Sequence, residues 1–210
     1  MKRSLIVALI IGLLLFSAAC GGSSTPAPEE TATQKPVTQP ATGSLKINVS
    51  NQSPYDICYV QISGSEQEEW GEDWLGEQEK IAAGASKTFN VDAGTYDVKV
   101  MTCEQYTLAT FWGIDSNTTV EVGGKGLVPL VVLNQSTTEI CYVYIASSSS
   151  DSWGEDWLGE SESIPPQEGG RVFFVQPGTY DLSTQDCDGN DLVTESEVQI
   201  TEETSWTISD

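Results

Sequence analysis

Three regimes of apolar and polar positions follow one another along the chain. From Leu5 to Phe16 every residue is apolar apart from Gly12, with Lys2 and Arg3 before the run and Ser17-Ala18-Ala19-Cys20 after it. From Gly21 to Gly43 the chain is rich in Pro, Thr, Ala and Gln. Beyond residue 44 short runs alternate. Cys58, Val60 and Ile62 fall on one face of a strand, and Tyr96, Val98 and Val100 on one face of another, because successive strand side chains point to opposite sides. Leu45 to Val49, Phe89 with Val91, and Thr118 to Val122 read the same way. So do Cys141, Val143 and Ile145, then Val172 to Val175, Tyr180 with Leu182, Val198 to Ile200, and Trp206 to Ile208. Gly, Pro, Asn and Asp separate the runs, and no long stretch keeps a helical period. The pattern predicts an all-β protein.

The β-region is one unit written twice. Asn51-Gln52-Ser53 returns as Asn134-Gln135-Ser136, and Ile57-Cys58-Tyr59-Val60 as Ile140-Cys141-Tyr142-Val143. Trp70-Gly71-Glu72-Asp73-Trp74-Leu75-Gly76-Glu77 returns letter for letter from Trp153 to Glu160, all at an offset of 83. Gly94-Thr95-Tyr96-Asp97 and Cys103 return at an offset of 84, as Gly178-Thr179-Tyr180-Asp181 and Cys187. The units are residues 44–126 and 127–210. Six or seven short strands in roughly 83 residues predict a small antiparallel β-sandwich for each. The expected architecture is therefore two tandem sandwich domains after a disordered linker.

The N-terminus reads as an address. A basic n-region, an apolar run too short to span a bilayer comfortably, and small residues at its end are the layout of a secretory signal peptide over residues 1–20. A cut near Ala19 would leave Cys20 as a free thiol. Cys20 directly after Ser17-Ala18-Ala19 resembles the lipobox of bacterial lipoproteins, although that family more often has Leu where Ser17 stands. The resemblance implies that Cys20 opens the mature chain and carries a lipid anchor in a bilayer, on the extracytoplasmic side. Residues 21–43 cannot bury enough apolar surface to offset their ordering entropy, and read as a tether.

Of five cysteines, Cys58, Cys103, Cys141 and Cys187 remain. Four cysteines allow three pairings. Duplication favours Cys58–Cys103 and Cys141–Cys187, since each ancestral unit had to satisfy itself. An exported chain meets conditions in which disulfides persist. Cys103 and Cys187 are out of phase with the strands before them, so either a bulge intervenes or the bridges lie at the end of a sheet.

The sequence holds no His, which removes Ser-His-Asp triads, Cys-His pairs and imidazole zinc sites. Nine Lys and Arg against 31 Asp and Glu give a formal charge of −22, which argues against nucleic acid as a partner. The charge lies on the repeats rather than on a tail. Unit one holds 5 basic and 13 acidic residues, whereas unit two sets Arg171 alone against 16 acids.

The Trp-Gly-Glu-Asp-Trp box admits two readings. In one, Trp70, Trp74, Trp153 and Trp157 with their neighbouring Leu fold over an open end of each sandwich as a lid. In the other they form a binding edge for a glycan or protein ligand, with Glu72, Asp73, Glu155 and Asp156 accepting hydrogen bonds. Asp186, Asp188 and Asp191 around Gly189 are either a hairpin turn or part of a Ca²⁺ loop. Acidic pairs are abundant, but no pair stands apart from the background as a glycosidase would need, so the enzyme reading ranks last. The Gly-Thr-Tyr-Asp stretches are similar to the turn-plus-strand signature of transthyretin-like and carboxypeptidase-regulatory-like β-sandwich modules. That resemblance, with the Trp box, implies an uncharacterised secreted bacterial family and a fold without an activity.

Overall fold

The alternating runs become twelve strands in a computed structural model that describes residues 43–167 and 169–210. The signal peptide, Cys20 and the tether up to residue 42 lie outside the described residues. Repeat one supplies β1 (Ser44–Gln52), β2 (Tyr59–Gly64), β3 (Ser86–Asp92), β4 (Tyr96–Met101), β5 (Thr107–Ile114) and β6 (Thr118–Gly123). Repeat two supplies β7 (Val128–Asn134), β8 (Tyr142–Ser147), β9 (Gly169–Val175), β10 (Gly178–Gln185), β11 (Asp191–Ile200) and β12 (Thr204–Ile208). The described residues contain no helix.

Each repeat stacks three strands on three. In repeat one, β3-β1-β6 faces β2-β4-β5 across a core of residues such as Ile47, Val49, Val60, Val98, Val100 and Val122. In repeat two, β9-β7-β12 and β8-β10-β11 enclose Leu130, Val132, Val143, Leu182, Ile200 and Ile208. The sheets are not purely antiparallel as expected. β6 runs parallel to β1, and β12 parallel to β7. The last strand of each repeat returns from the opposite sheet across the end of the sandwich, and so re-enters in the direction of the first.

Two strands, β5 and β7, lie outside the predicted runs. An alternating pattern needs one wet face, and both faces of β7 are covered, whereas the bulge at Gly113 breaks the period of β5. In β7, Leu130 and Val132 point into the core of repeat two, whereas Val131 joins the core of repeat one. Val172 on β9 does the same, and Phe174 packs beside it. The equivalent positions in repeat one are Asn48, Thr88 and Asn90, where Thr88 donates to Asn48 and the face is wet. The second sheet of repeat one continues into the first sheet of repeat two, giving a six-stranded order β12-β7-β9-β5-β4-β2. The link between β5 and β9 is a single parallel pairing, Thr107 with Arg171.

The duplicated motifs explain themselves as folding elements. Asn51 is fully buried, and its amide donates to the Tyr55 and Ile81 carbonyls at 2.7 and 2.9 Å. Its Oδ1 accepts from the amide and hydroxyl of Ser53. Asn134 repeats all four bonds with Thr138, Ile164 and Ser136. A buried amide is tolerated when every donor and acceptor is paired. The Asp of Gly-Thr-Tyr-Asp pins a bulge. Asp97 Oδ1 accepts from Gly113 N, and Asp181 Oδ1 from Glu197 N, both at 2.8 Å. Gly113 sits at φ 67°, where glycine is at ease; Glu197 holds the same turn at φ 58°.

Cys58 is joined to Cys103 and Cys141 to Cys187, each with Cα atoms 4.9 Å apart. Both expected causes of the change of phase are present: register shifts fall at Val100–Met101 and Thr184–Gln185, and the bridges lie just beyond them at the end of the sheet. Cys58 precedes β2 and donates its amide to the Met101 carbonyl at the end of β4, and Cys141 does the same to Gln185.

Candidate functional site

The Trp box runs along the free edge of β2, and its copy along β8. Trp74 N donates to Val60 O at 2.7 Å, Gly71 N to Ser63 Oγ at 2.7 Å, and Gln61 Nε2 to Gly71 O at 3.0 Å. Asp73 Oδ1 accepts from Val60 N and Leu75 N; Asp156 Oδ1 accepts from Val143 N and Leu158 N, at 2.8–3.1 Å. The carboxylate thus folds the loop back onto the strand and lets Leu75 and Leu158 bury themselves in their cores. A strand edge left bare would present unpaired amides and carbonyls, so this cover is a structural duty performed twice. Asp73 and Asp156 are spent on it.

The four Trp of the boxes part company in their surroundings. Trp74 stands edge-on to Phe89 with ring centres 6.3 Å apart, and Trp157 edge-on to Phe173 at 6.0 Å. Both are laid on the sandwich as half-exposed covers, and Glu72 and Glu155 project into solvent. Trp153 is exposed beside Asp151 and Asp181. Trp70 alone meets another indole, that of Trp112, at 5.6 Å and 44°. Trp112 is 49% exposed on the outer face of β5 and has Ser196 as its counterpart in repeat two.

The junction between the repeats carries the densest chemistry. Arg171, the one base of repeat two, is only 13% exposed. Its Nε donates to Glu162 at 2.9 Å, and its Nη1 donates to the carbonyls of Leu108 and Val172 at 2.8 Å and of Thr107 at 3.3 Å. Its guanidinium lies 5.0 Å from the Phe173 ring centre. Burial pulls the Arg171 pKa down while Glu162 pulls it back up. Beside it, Lys99 extends over the Trp70 ring at 5.8 Å. Burial lowers the Lys99 pKa, Glu162 opposes that, and Arg171 adds to it. Tyr106 fills the space above Gly170, where a Cβ would stand 2.2 Å from the ring. Glycine at 170 is therefore required by the close approach of repeat one.

Grooves open along this junction. One of about 260 Å³ is walled by Trp70, Trp112, Glu162 and Pro165, with Lys99 and Thr110 among its lining. A larger one of about 790 Å³ shares Lys99, Thr107, Ser163 and Pro165 with it and reaches Tyr106 and Gly170. Thr110 Oγ1 is enclosed without a hydrogen-bond partner. A separate cavity of about 550 Å³ lies beside the Cys58–Cys103 bridge and the Gly76–Lys80 stretch, opening to solvent.

The acidic turn of repeat two closes on itself. Asp186 Oδ1 accepts from the amides of Asp188 and Asn190 at 2.9 and 2.8 Å, and Oδ2 from Asn190 Nδ2 at 2.8 Å. Those bonds, the Asn190 side chain first, lower the Asp186 pKa. Asp191 accepts from Gln185. The ligand atoms of Asp186, Asp188 and Asp191 do not converge. Among the described residues only Glu139, Cys141 and Cys187 bring three potential ligand atoms within 4.8 Å, and both sulfurs there belong to the disulfide.

Sequence reasoning passed over Trp112, Lys99, Tyr106 and Glu162. The available signal was the departure from the repeat: Tyr106 and Trp112 stand where repeat two has Asn190 and Ser196.

No protein-family model matches the chain, and no curated protein matches it. Solved structures with remote similarity include the Bacillus anthracis TIE protein, at 10% identity and TM-score 0.28 over 79% of this chain and 34% of that one. The chain thus spans about a third of that protein. The shaft pilin spaA of Lactobacillus rhamnosus GG matches at 8% identity and TM-score 0.26 over 80% and 98% of the two chains. A streptococcal ancillary pilin matches at 9% identity and TM-score 0.25 over 80% and 63%. These likenesses are too low to carry an argument.

Proposed function

We propose that the chain is an exported lipoprotein, held to a bilayer through Cys20. Its two tandem disulfide-bonded β-sandwich repeats serve on the extracytoplasmic side as a non-catalytic module that spaces and binds. The observation that carries the module reading is the buried Arg171 clip, which joins the repeats into one continuous sheet. Such a joint suits a stiff spacer, because a hinge between domains would leave the linking residues wet. The disulfides fit an oxidising compartment. The repeated acids favour no catalytic assignment, since Asp73 and Asp156 are engaged by backbone amides and Glu72 and Glu155 are exposed.

The anchor is tested by expressing the full chain in a bacterium with labelled fatty acid. Label should enter the protein and the protein should sediment with membranes, and Cys20→Ser should abolish both. Unchanged membrane association of Cys20→Ser would contradict the anchor. A panel of glycosidase substrates tests the module reading, and turnover that Glu72→Gln or Glu155→Gln abolishes would replace it with an enzyme.

A further inference from the structure

We infer that the groove at the repeat junction, with Trp70 and Trp112 as its wall and Lys99 and Thr110 in its lining, binds a neutral oligosaccharide. This deepens the reading of the chain as a binding module by naming the site and the class of ligand.

Three observations carry it. The first is the indole pair. Trp112 stands on the opposite face of β5 from Phe111, which packs on the core, so its exposed ring serves no core. Together with Trp70 it makes the one close pair of indole rings among the described residues. Stiff aromatic faces suit the apolar face of a sugar ring and cost little side-chain entropy on binding. The second is a polar lining. Ser161, Ser163, Glu162 and Lys99 stand around the same groove, and such side chains donate to and accept from a ligand's hydroxyls. The third is the sign of the charges. A net −22 repels an anionic ligand. Within the lining itself Lys99 and Glu162 offset each other, so the groove presents no net charge for a cationic ligand to meet. A neutral, hydroxyl-rich chain remains. The adjoining larger groove extends the site beyond one sugar unit.

The test is calorimetric and fluorescence titration of the detergent-solubilised full chain with cellohexaose, chitohexaose and maltohexaose. At least one should bind and perturb the indole emission. Trp112→Ser, which installs the residue repeat two carries, should weaken that binding by about tenfold or more. Lys125→Ala, exposed and outside the lining of either groove, should leave it within about twofold. Should Trp112→Ser melt early, Trp112→Phe is the second arm, and an intermediate affinity is expected. Absence of binding by all three sugars at millimolar concentration overturns the proposal, as does unchanged affinity in Trp112→Ser. Neither result touches fatty-acid labelling at Cys20, so failure of the ligand and failure of the lipoprotein reading are told apart.

Discussion

Lys87 of repeat one and Arg171 of repeat two occupy the same place on the same strand. Each lies over a phenylalanine, Phe89 or Phe173, and each pairs with the same acid of the repeat, Glu79 or Glu162. The surroundings differ. Lys87 and Glu79 are 34% and 59% exposed on an open edge, whereas Arg171 and Glu162 are 13% and 14% exposed against β5. One arrangement therefore serves as a solvated edge guard and as a buried joint. Lysine suits the first as a hydrated point charge. Arginine suits the second because its planar fork feeds several carbonyls at once. The same division runs through the sheet faces. Asn48, Thr88 and Asn90 end the molecule in water, and Val131, Val172 and Phe174 continue it into repeat one. At the far end Asn190, just before β11, and Glu195 and Ser196 on it stand where repeat one has Tyr106, just before β5, and Phe111 and Trp112 on it, so the exposed β11 lacks the apolar surface to accept a third unit. The duplication made two repeats, and divergence made one joint and two ends.

The largest expected effect should be equal in both repeats. Replacing Cys58 and Cys103 with alanine, or Cys141 and Cys187, should each cost about 4 kcal/mol in chemical denaturation, given loops of 45 and 46 residues. A large inequality would mean that one repeat props up the other. The next effect should be unequal. Arg171→Ala leaves Glu162 buried and unpaired and should cost about 3 kcal/mol, whereas Lys87→Ala should cost less than about 1 kcal/mol.

A pH comparison sharpens the picture of repeat two. The Glu197 amide first, then the Ser148 hydroxyl, hold the Asp181 pKa below the ordinary carboxylate value. A carboxylate whose folded pKa is depressed stabilises the fold above its unfolded pKa, and that gain is lost as pH falls through the folded value. Asp181→Asn should therefore melt earlier than the parent at neutral pH. The gap should close as pH falls below the ordinary carboxylate range. The smallest effect concerns the bulge. Gly113→Ala should cost about 1 kcal/mol for its positive φ, whereas Glu197→Gly should gain less than about 1 kcal/mol. Melting temperatures of the two variants check the signs.

The parts of this architecture that obey one simple period were legible from the residues alone. The strands of Val60, Val98, Val143 and Leu182 alternate because one face meets the core and the other is polar, and their motifs recur because each sandwich needs the same buried Asn and the same edge cover. β7 hid because neither of its faces is wet, and β5 because the bulge at Gly113 breaks its period. The candidate site was legible only in half. Trp70 announced itself by repetition, but Trp112 and Tyr106 matter because they depart from the repeat. That departure acquires meaning only when β5 is seen to adjoin β9. Asp73 and Asp156 read as ligand acceptors and prove to accept from their own backbone, a distinction that depends on a loop path no spacing encodes.

Arg171 makes one cooperative body out of two repeats, and scanning calorimetry of the full chain with and without Arg171→Ala puts that to the test. The parent should melt in a single transition, with a calorimetric to van't Hoff enthalpy ratio of about 1, and the variant in two separate transitions at lower temperature. Two independent transitions in the parent, or a variant that melts like it, would mean that Arg171 does not join the repeats.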